Sequence, residues 1–310
     1  MATHYLTEEV QNKYHYTVGP YVSPVLRVRP GDTIVVETRD AFEGRITHEG
    51  IKPSQVLEYP YVNPQNGPVY VEGAEPGDCL AVRIDSIKPR GPQPRGTTCL
   101  VPYFGGLTAT DLTAMLHDPL PEIVRKLEVT EEHVTWNTRL KFPYKPFIGT
   151  ISTSPRIDSI GALTPGNHGG NMDLPDICPG ATIYLPVRIE GALLYLGDCH
   201  ATQGDGELCG VAIEHPTRTT ITVDVRKQWT LSWPRLESDT FIMSIGSARP
   251  MEDAARIAYA DLVKWLVADY GFDKWDAYLV LTQIGRARLG NMVDPNYTIG
   301  AGIAKTYLPE

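Results

Sequence analysis

The feature that most constrains the fold of this 310-residue chain is a turn that recurs immediately before segments of alternating apolar residues. Two copies read x-Pro-Gly-Asp, at Arg29–Asp32 and Glu75–Asp78, and a looser third copy at Cys178–Ala181 ends in alanine. Pro-Gly is a strong turn signal, and alternation is typical of a strand with one buried face. Three units of this kind predict antiparallel sheets built from similar parts.

Strand patterns extend over most of the first three quarters of the chain and give way to helical spacing near its end. We expect helices over Met251–Tyr270 and Lys274–Ala287, and short helices within Leu107–Leu127, where Pro121 could open the second of them. The fold is therefore predicted to be mainly β, with antiparallel β-sandwich or barrel-like sheets in residues 1–235 and a smaller α+β region in residues 236–310. The predicted strands are Leu26–Val28, Thr33–Thr38, Val69–Val71, Cys79–Ile84, Val134–Lys141, Phe147–Ser152, Ile183–Ile189, Leu193–Leu196 and Thr217–Val225.

The composition argues against several classes of protein. The formal net charge is −9, which makes a nucleic-acid backbone an unfavourable partner. No apolar run in the sequence approaches the roughly 20 residues that span a bilayer, and the N-terminal segment lacks the pattern of a secretory signal. The five cysteines form no C-x-x-C pair, which favours reduced thiols. We therefore expect a cytoplasmic protein that binds neither nucleic acid nor membrane.

The densest group of ionisable residues lies in the segment Gly197–Glu214, directly after an apolar run. Asp198 and His200 share a face if the strand continues that far, and the same spacing relates Asp205 and Glu207 on a return arm. An exposed, acid-rich turn is the alternative, but unpaired charges next to a core are costly. We predict a hairpin whose mouth holds a divalent metal or performs acid–base chemistry.

A second glycine-rich segment, Pro165–Asp173, contains His168, Asn171 and Asp173. It is too rich in glycine for a helix or a central strand. A plain surface loop is one interpretation. The other is a loop that wraps closely around a metal or substrate, because glycine adds no side-chain bulk. We predict that this segment meets the first one in the fold.

Other residues offer weaker alternatives. A lone loop histidine such as His48 is more often solvated than functional. Cys199 could serve as a nucleophile of the nitrilase type, but strand alternation points it away from the acid and histidine on either side. A non-catalytic carbohydrate-binding module would use exposed aromatic residues such as Tyr59, Tyr61 and Tyr70, and would leave the acid–histidine group without a purpose.

Three segments, in this order, resemble the acetamidase/formamidase family: NPQNGPVYVEGAEPGD from Asn63, GNHGGNMD from Gly166 and GDCHATQGDGELCGVAIE from Gly197. The resemblance covers nearly the full length. It implies hydrolysis of short linear amides such as acetamide and formamide, and γ-lactam opening in some relatives. It also implies a β-rich fold with a smaller α/β portion, an intertwined homodimer or a dimer of dimers, and association with zinc or calcium.

The chemistry of the residues suggests which of them hold the metal. Mixed nitrogen and oxygen ligands suit zinc, whereas an all-oxygen set suits calcium or magnesium. We therefore predict zinc, with calcium possible at a second site. The predicted ligands are Asp173, Asp198 and His200, with Glu214 or His168 as a further ligand.

Amide hydrolysis also needs proton transfer and stabilisation of the oxyanion. We assign Glu207 as the general base and acid, Asp205 as its orienting or second-metal partner, and Asn171 as a hydrogen-bond donor to the carbonyl. A cyclic-amide (γ-lactam) or carbamate hydrolase on the same scaffold remains an alternative, because it differs only in the shape of the pocket.

Overall fold

The computed structural model describes residues 1–108 and 119–309. Within these ranges strands hold more residues than helices do, and the two long helices lie near the end of the described chain. The strands are β1 Thr3–Leu6, β2 Thr17–Val18, β3 Leu26–Val28, β4 Thr33–Glu37, β5 Gln65–Val71, β6 Cys79–Pro89, β7 Arg95–Leu100, β8 Ile123–Val129, β9 His133–Thr135, β10 Lys141–Pro143, β11 Phe147–Ser152, β12 Ile160–Gly161, β13 Gly169–Asn171, β14 Thr182–Pro186, β15 Leu194–His200, β16 Thr217–Arg226, β17 Arg235–Glu237, β18 Phe241–Ala248, β19 Arg286–Leu289 and β20 Tyr297–Ala304. The helices are α1 Glu8–Gln11, α2 Pro53–Val56, α3 Met251–Tyr270 and α4 Lys274–Ile284, followed by a 3-10 turn at Lys305–Tyr307.

The strands of the described chain form four sheets. A nine-stranded sheet has the order β1-β4-β16-β6-β14-β17-β18-β20-β19, and a five-stranded sheet the order β13-β11-β15-β5-β3. The smaller sheets are β10-β9-β8-β7 and β12-β2. Two pairs, β1–β4 and β3–β5, are parallel, whereas the other pairs are antiparallel. The predicted mainly-β fold is confirmed, and the open strand orders correspond to a sandwich rather than a barrel.

The three predicted turns each precede a strand of the nine-stranded sheet, namely β4, β6 and β14. Their glycines, Gly31, Gly77 and Gly180, have φ values of 87°, 97° and 92°, as a type II turn requires after its proline. In the first two copies the closing aspartate accepts a hydrogen bond from the backbone N–H of the first turn residue, at 3.0 Å for Asp32 and 2.9 Å for Asp78. This side-chain bond reinforces the turn and fixes where the strand begins.

The main hydrophobic core lies between the nine-stranded and five-stranded sheets. Leu80 and Ile183 of the larger sheet belong to the same buried cluster as Ile148, Ile151 and Leu196 of the smaller one. Burying an aliphatic side chain of this size contributes roughly 1.5–3 kcal/mol. The core therefore holds β11 and β15 firmly, and these are the two strands that carry the site.

The long helices cover the opposite face of the nine-stranded sheet. Helix α3 follows Pro250 and ends at Gly271, whose φ of 69° gives the left-handed C-cap, so the predicted bounds are confirmed. Trp265 and Leu281 lie in the second buried cluster, between the helices and the sheet. Helix α4 stops short of the predicted Ala287 because the chain continues as edge strand β19.

Two other predictions of local structure need correction. For the helices predicted within Leu107–Leu127, residues 109–118 lie outside the described residues, and residues 123–127 belong to strand β8. The single strand predicted over Val134–Lys141 is a hairpin of β9 and β10. Its turn is closed by the Asn137 side chain, which accepts hydrogen bonds from the backbone N–H groups of Arg139 and Leu140.

The predicted boundary after residue 235 falls inside β17, and the nine-stranded sheet continues across it from β14 to β18. The division into two folding regions stays a prediction. All five cysteines are free thiols, and none of the described helices is long and apolar enough to cross a membrane. The predicted compartment is not tested by these observations.

Candidate active site and metal centre

Strand β15 carries two site residues out of the main core. Asp198 has a φ of 56°, and its Oδ1 lies 3.4 Å from Nε2 of His200. Cys199 is fully buried in the main core, and burial raises the pKa of its thiol. A thiol held there in its protonated form is a poor nucleophile, so the structure gives no support to the Cys199 alternative.

The loop after β15 returns two glutamates to the same histidine. A bridge between His200 and Glu214 closes the loop, and Oε2 of Glu214 lies 3.3 Å from Nε2 of His200. The backbone N–H of Ala212 donates to Oε1 of Glu207 at 3.0 Å and to Oε1 of Glu214 at 3.1 Å. The segment therefore closes on itself as predicted, although its return arm is a loop rather than a strand.

Asp205 lies outside this group. Its side chain is 56% exposed and pairs with Arg288 at 3.2 Å, whereas Glu207 is buried. Because the return arm is not a strand, two-residue alternation does not bring Asp205 to the face of Glu207. The predicted role of Asp205 as the partner of Glu207 is therefore corrected: it forms an ion pair at the surface.

The second glycine-rich segment reaches the same place through Asp173. A Cβ atom added at Gly149 of β11 would lie 2.6 Å from Oδ1 of Asp173 and 2.9 Å from Oδ2 of Asp198. A larger residue at this position would therefore displace one of the two carboxylates. The glycine allows acids from the two distant segments to converge over β11, as the sequence predicts.

Two sets of potential metal-ligand atoms share one histidine. One set consists of Asp173, His200 and Glu207, and the other consists of Asp198, His200 and Glu214. Within each set the ligand atoms lie within 4.8 Å of one another. A fifth carboxylate, that of Asp294, is buried beside them. We call these five carboxylates the acid cluster: Asp173, Asp198, Glu207, Glu214 and Asp294.

Asn171 positions two of these carboxylates. Its Nδ2 donates to Oδ2 of Asp173 at 2.9 Å and to Oδ2 of Asp294 at 2.8 Å. Both N–H bonds of the side-chain amide are therefore used inside the cluster. In this arrangement neither N–H is left for a substrate carbonyl, and the contacts of Asn171 are those of a residue that positions carboxylates; its role as a donor to the carbonyl stays a prediction.

Sequence reasoning missed several residues that complete the site. Asn63 donates from Nδ2 to Oδ2 of Asp198 at 3.1 Å, and Asn291 donates from Nδ2 to Oδ2 of Asp173 at 3.2 Å. Asp294 and Gln203 were missed as well. Asp294 stands in an Asp-Pro-Asn run that predicts a turn, and uncharged amides give no signal of their own. The motif around Asn63 was noted, but only as part of a family resemblance.

Gln203 fixes the ring of His200. Its Nε2 donates to the backbone carbonyls of Asp173 and Gly290, both at 2.9 Å. Its amide oxygen therefore faces Nδ1 of His200, at 2.9 Å, and this contact requires Nδ1 to carry a proton. The other ring nitrogen, Nε2, is left facing two carboxylates.

Burial and charge shift the pKa values in this group. Burial raises the pKa of Glu214 to about 7. Burial alone would lower the pKa of His200, but the carboxylates of Glu214 and Asp198 raise it well above its usual value. Burial raises the pKa of three further members well above the usual range, and neighbouring carboxylates raise it further: Asp173, Glu207 and Asp294. With all five carboxylates ionised, the cluster would carry more negative charge than one histidine can balance, and the raised pKa values reflect this.

His168 is buried away from the acid cluster. Its Nε2 has no hydrogen-bond partner among the described residues, and it belongs to neither set of ligand atoms. Burial lowers its pKa to about 4, and the charge of Arg188 adds to the shift. The prediction of His168 as a metal ligand is corrected, because its loop packs it near Arg188 and not beside the carboxylates.

The acid cluster lies at one end of a cavity of about 320 Å³. Asp198, Glu207, Glu214 and Asp294 line that end, and the remaining walls are largely apolar. The other sequence candidates lie elsewhere or at its edge: His48 is in an exposed loop, and Tyr70 hydrogen-bonds to Glu190 at 2.6 Å. A largely apolar pocket with a few convergent polar groups is typical of an active site.

The sandwich fold is shared with solved structures of known proteins to which the chain is similar. The profile of the Acetamidase/Formamidase family matches residues 2–161 and 156–306. The chain therefore belongs to the acetamidase/formamidase family.

Individual relatives are similar in structure and sequence. A crystal structure of acetamidase from Yersinia enterocolitica has 60% identity and a TM-score of 0.98, covering 99% of this chain and 93% of that chain. Acetamidase from Bacillus halodurans has 33% identity and a TM-score of 0.89, covering 98% of both chains. Formamidase from Methylophilus methylotrophus is 28% identical over an alignment of 261 residues, and the match covers 66% of this chain and 61% of the relative. This match therefore spans less than two thirds of that formamidase.

Proposed function

We propose that this protein hydrolyses the C–N bond of short linear amides, acetamide and formamide among them, to a carboxylate and ammonia, and that it does so with a bound divalent cation. Family membership and the relatives described as acetamidase or formamidase support the reaction. The observation that carries the cation is the position of His200 Nε2 between carboxylate oxygens of Asp198 and Glu214, at 3.4 and 3.3 Å.

A positive charge is needed between Nε2 of His200 and the carboxylates of Asp198 and Glu214. The amide oxygen of Gln203 accepts a hydrogen bond from Nδ1–H of His200. A neutral His200 would therefore direct the lone pair of Nε2 at two carboxylates. Either a proton or a cation relieves this repulsion. Oε2 of Glu214 and Oδ1 of Asp173 are also buried without a hydrogen-bond partner among the described residues. This is expected for oxygens that would coordinate a cation.

The donor atoms fit zinc. One imidazole nitrogen and carboxylate oxygens are typical zinc ligands, and we assign Asp198, His200 and Glu214 as the residues that would hold the ion. A divalent cation in this place supplies Lewis-acid activation of the amide carbonyl and of water. Calcium at a second site, and the homodimer or dimer of dimers, stay predictions.

Because Asp198, His200 and Glu214 are assigned to the cation, Glu207 is left for proton transfer. Its carboxylate is anchored through one oxygen to the backbone N–H of Ala212, and burial raises its pKa well above the usual range, toward the range that suits a general acid and base near neutral pH. Glu207 would take a proton from the attacking water and deliver it to the leaving nitrogen. Asp173, within 4.8 Å in the same set, would share that proton and maintain the high pKa of Glu207.

The test measures ammonia release from acetamide and formamide together with metal content by elemental analysis. Glu207→Gln should lower kcat by about a hundredfold to ten-thousandfold, since it removes the acid–base group, and should retain the metal. Glu214→Gln should lose metal as well as activity. The control, Glu72→Gln, changes an exposed glutamate that pairs with Arg29 and should alter neither.

Two results would contradict this scheme. Full activity after complete removal of the metal would exclude the role of the cation. Normal turnover of Glu207→Gln would exclude Glu207 as the proton-transfer group and would leave the cation site standing.

A further inference from the structure

The cavity is larger than a short amide requires. A water molecule occupies about 30 Å³ in the liquid, so a cavity of about 320 Å³ has room for a ligand of about ten non-hydrogen atoms. Acetamide, with two carbons, one oxygen and one nitrogen, would fill less than half of it. The remaining space lies away from the acid cluster and needs an explanation of its own.

That remaining space is apolar. Most of the side chains that line it cannot hydrogen-bond and would gain from contact with a hydrocarbon group. Tyr59 and Tyr103, both more than half exposed, lie at its outer edge. The apolar wall consists of Phe42, Leu57, Val101, Phe104, Leu163 and Val293.

The wall is built into the fold. Phe42 is buried in one packed cluster with Val211, and Leu57 and Val101 pack against that cluster. A Cβ added at Gly210 would lie 2.4 Å from a ring carbon of Phe104, so the ring rests directly on the backbone of the loop that carries Glu207. The backbone N–H of Gly106 donates to the carbonyl of Leu208 at 2.8 Å, which fastens the two loops together. The shape of the cavity is therefore set in advance.

We propose that the substrates for which this site is built are primary amides with an apolar acyl group of about four to eight carbons, and that Phe104 determines this specificity. The proposal rests on the amide-hydrolase function proposed above. The amide group would face the acid cluster, and the acyl chain would extend along the apolar wall toward the tyrosines. Each buried methylene should raise kcat/KM by about fourfold.

The first measurement is ammonia release by the zinc-loaded protein from formamide, acetamide, butyramide, hexanamide and phenylacetamide. We expect kcat/KM to rise along the series and to be about 250-fold higher for hexanamide than for acetamide, since the two differ by four methylenes. The increase should appear mostly as a lower KM, because the acyl chain is bound equally in the ground state and the transition state.

The second measurement uses Phe104→Ala. Loss of the ring should reduce the ratio of kcat/KM for hexanamide to that for acetamide by about tenfold. The matched control is Trp275→Ala, which removes an exposed aromatic ring on α4 outside the cavity and should leave the ratio unchanged. Should Phe104→Ala fail to fold, Leu57→Ala tests the same wall with the same expected direction.

The outcomes separate this proposal from the one on which it rests. A rate that falls with each added carbon, or a γ-lactam opened in preference to hexanamide, would overturn the inference and leave amide hydrolysis intact. A folded Phe104→Ala with an unchanged ratio would overturn the role of Phe104. Absence of ammonia from every amide, with zinc bound, would instead contradict the proposed function itself.

Discussion

The acid cluster and the Arg235–Asp261 pair are both buried groups of charges, but they are balanced differently. Nε of Arg235 lies 2.7 Å from Oδ2 of Asp261, and the hydroxyl of Ser244 donates to the same oxygen at 2.9 Å. The guanidinium also lies over the ring of Trp265, 4.8 Å from its centroid. Each charge of this pair thus has a partner, whereas five acids converge on one histidine at the other place.

The difference indicates what each group is for. A buried pair in which each charge faces its partner holds elements together, here β17 and helix α3, and has little left to offer a ligand. A buried cluster in which acids outnumber the cationic groups is kept at a cost to stability and is typical of a functional site. Breaking the pair should therefore cost more stability than neutralising one acid of the cluster, which should add to it.

The largest effect on stability should come from breaking the balanced pair. Arg235→Ala leaves the Asp261 charge buried without a partner, so we expect a loss of about 3–5 kcal/mol in the free energy of unfolding, measured with urea. The double variant Arg235→Met/Asp261→Leu should recover most of that loss, since an apolar pair of similar size needs no partner. A single variant as stable as the parent would show that the pair does not hold the helix to the sheet.

A smaller effect should come from the neutral His168. Its pKa, about 4 in the folded protein, lies below the usual value of about 6.5 in the unfolded chain. The unfolded chain therefore binds the proton first, and stability present above pH 6.5 should be lost as the pH falls toward 4, by about 3 kcal/mol for this group.

The matched variants are His168→Gln, which should flatten that part of the pH profile, and His48→Gln, an exposed histidine that should not. Thermal unfolding between pH 4 and pH 7.5 provides the measurement. Equal slopes for the parent and for His168→Gln would mean that the proton is taken up elsewhere.

The smallest effect should be a gain in stability at the acid cluster. Burial raises the pKa of Asp294 well above the usual range, so its ionisation opposes folding as the pH rises above the value for the unfolded chain. In metal-free protein at pH 8, Asp294→Asn should therefore raise the free energy of unfolding by about 1 kcal/mol. The gain should vanish near pH 4, where the native aspartic acid is itself neutral. A loss of stability at pH 8 would show that Asp294 is needed to support the fold.

Local signals made the fold largely predictable. Each of the Pro-Gly turns at Gly31 and Gly77 depends on the conformation of its own glycine. Each end of helix α3 likewise depends on a single residue. The errors arose where tertiary context decides. Edge strand β19 takes residues from the end of a predicted helix, because pairing with β20 outweighs helical spacing there.

The candidate site was predictable only where ionisable residues stand among glycines. Asp173 and Glu207 stood out for this reason, and the structure brings them together. Asp205 was misplaced because alternation was applied to a loop. Asn63 and Gln203 could not be found, because their roles depend on distances between segments that a single sequence does not specify.

The wide spacing of the site residues along the sequence has one consequence for the synthesis of the protein. The groups around His200 come from positions between Asn63 and Asp294, so a ribosome must add more than 200 residues after the first of them before the last carboxylate appears. A nonsense mutation that removes Asn291 and Asp294 would still leave the two glycine-rich segments, Pro165–Asp173 and Gly197–Glu214. Those segments would then lack the contacts that Asn291 and Asp294 supply. Release of ammonia would then report only on chains that extend past Asp294, and shorter nascent chains would not contribute to it.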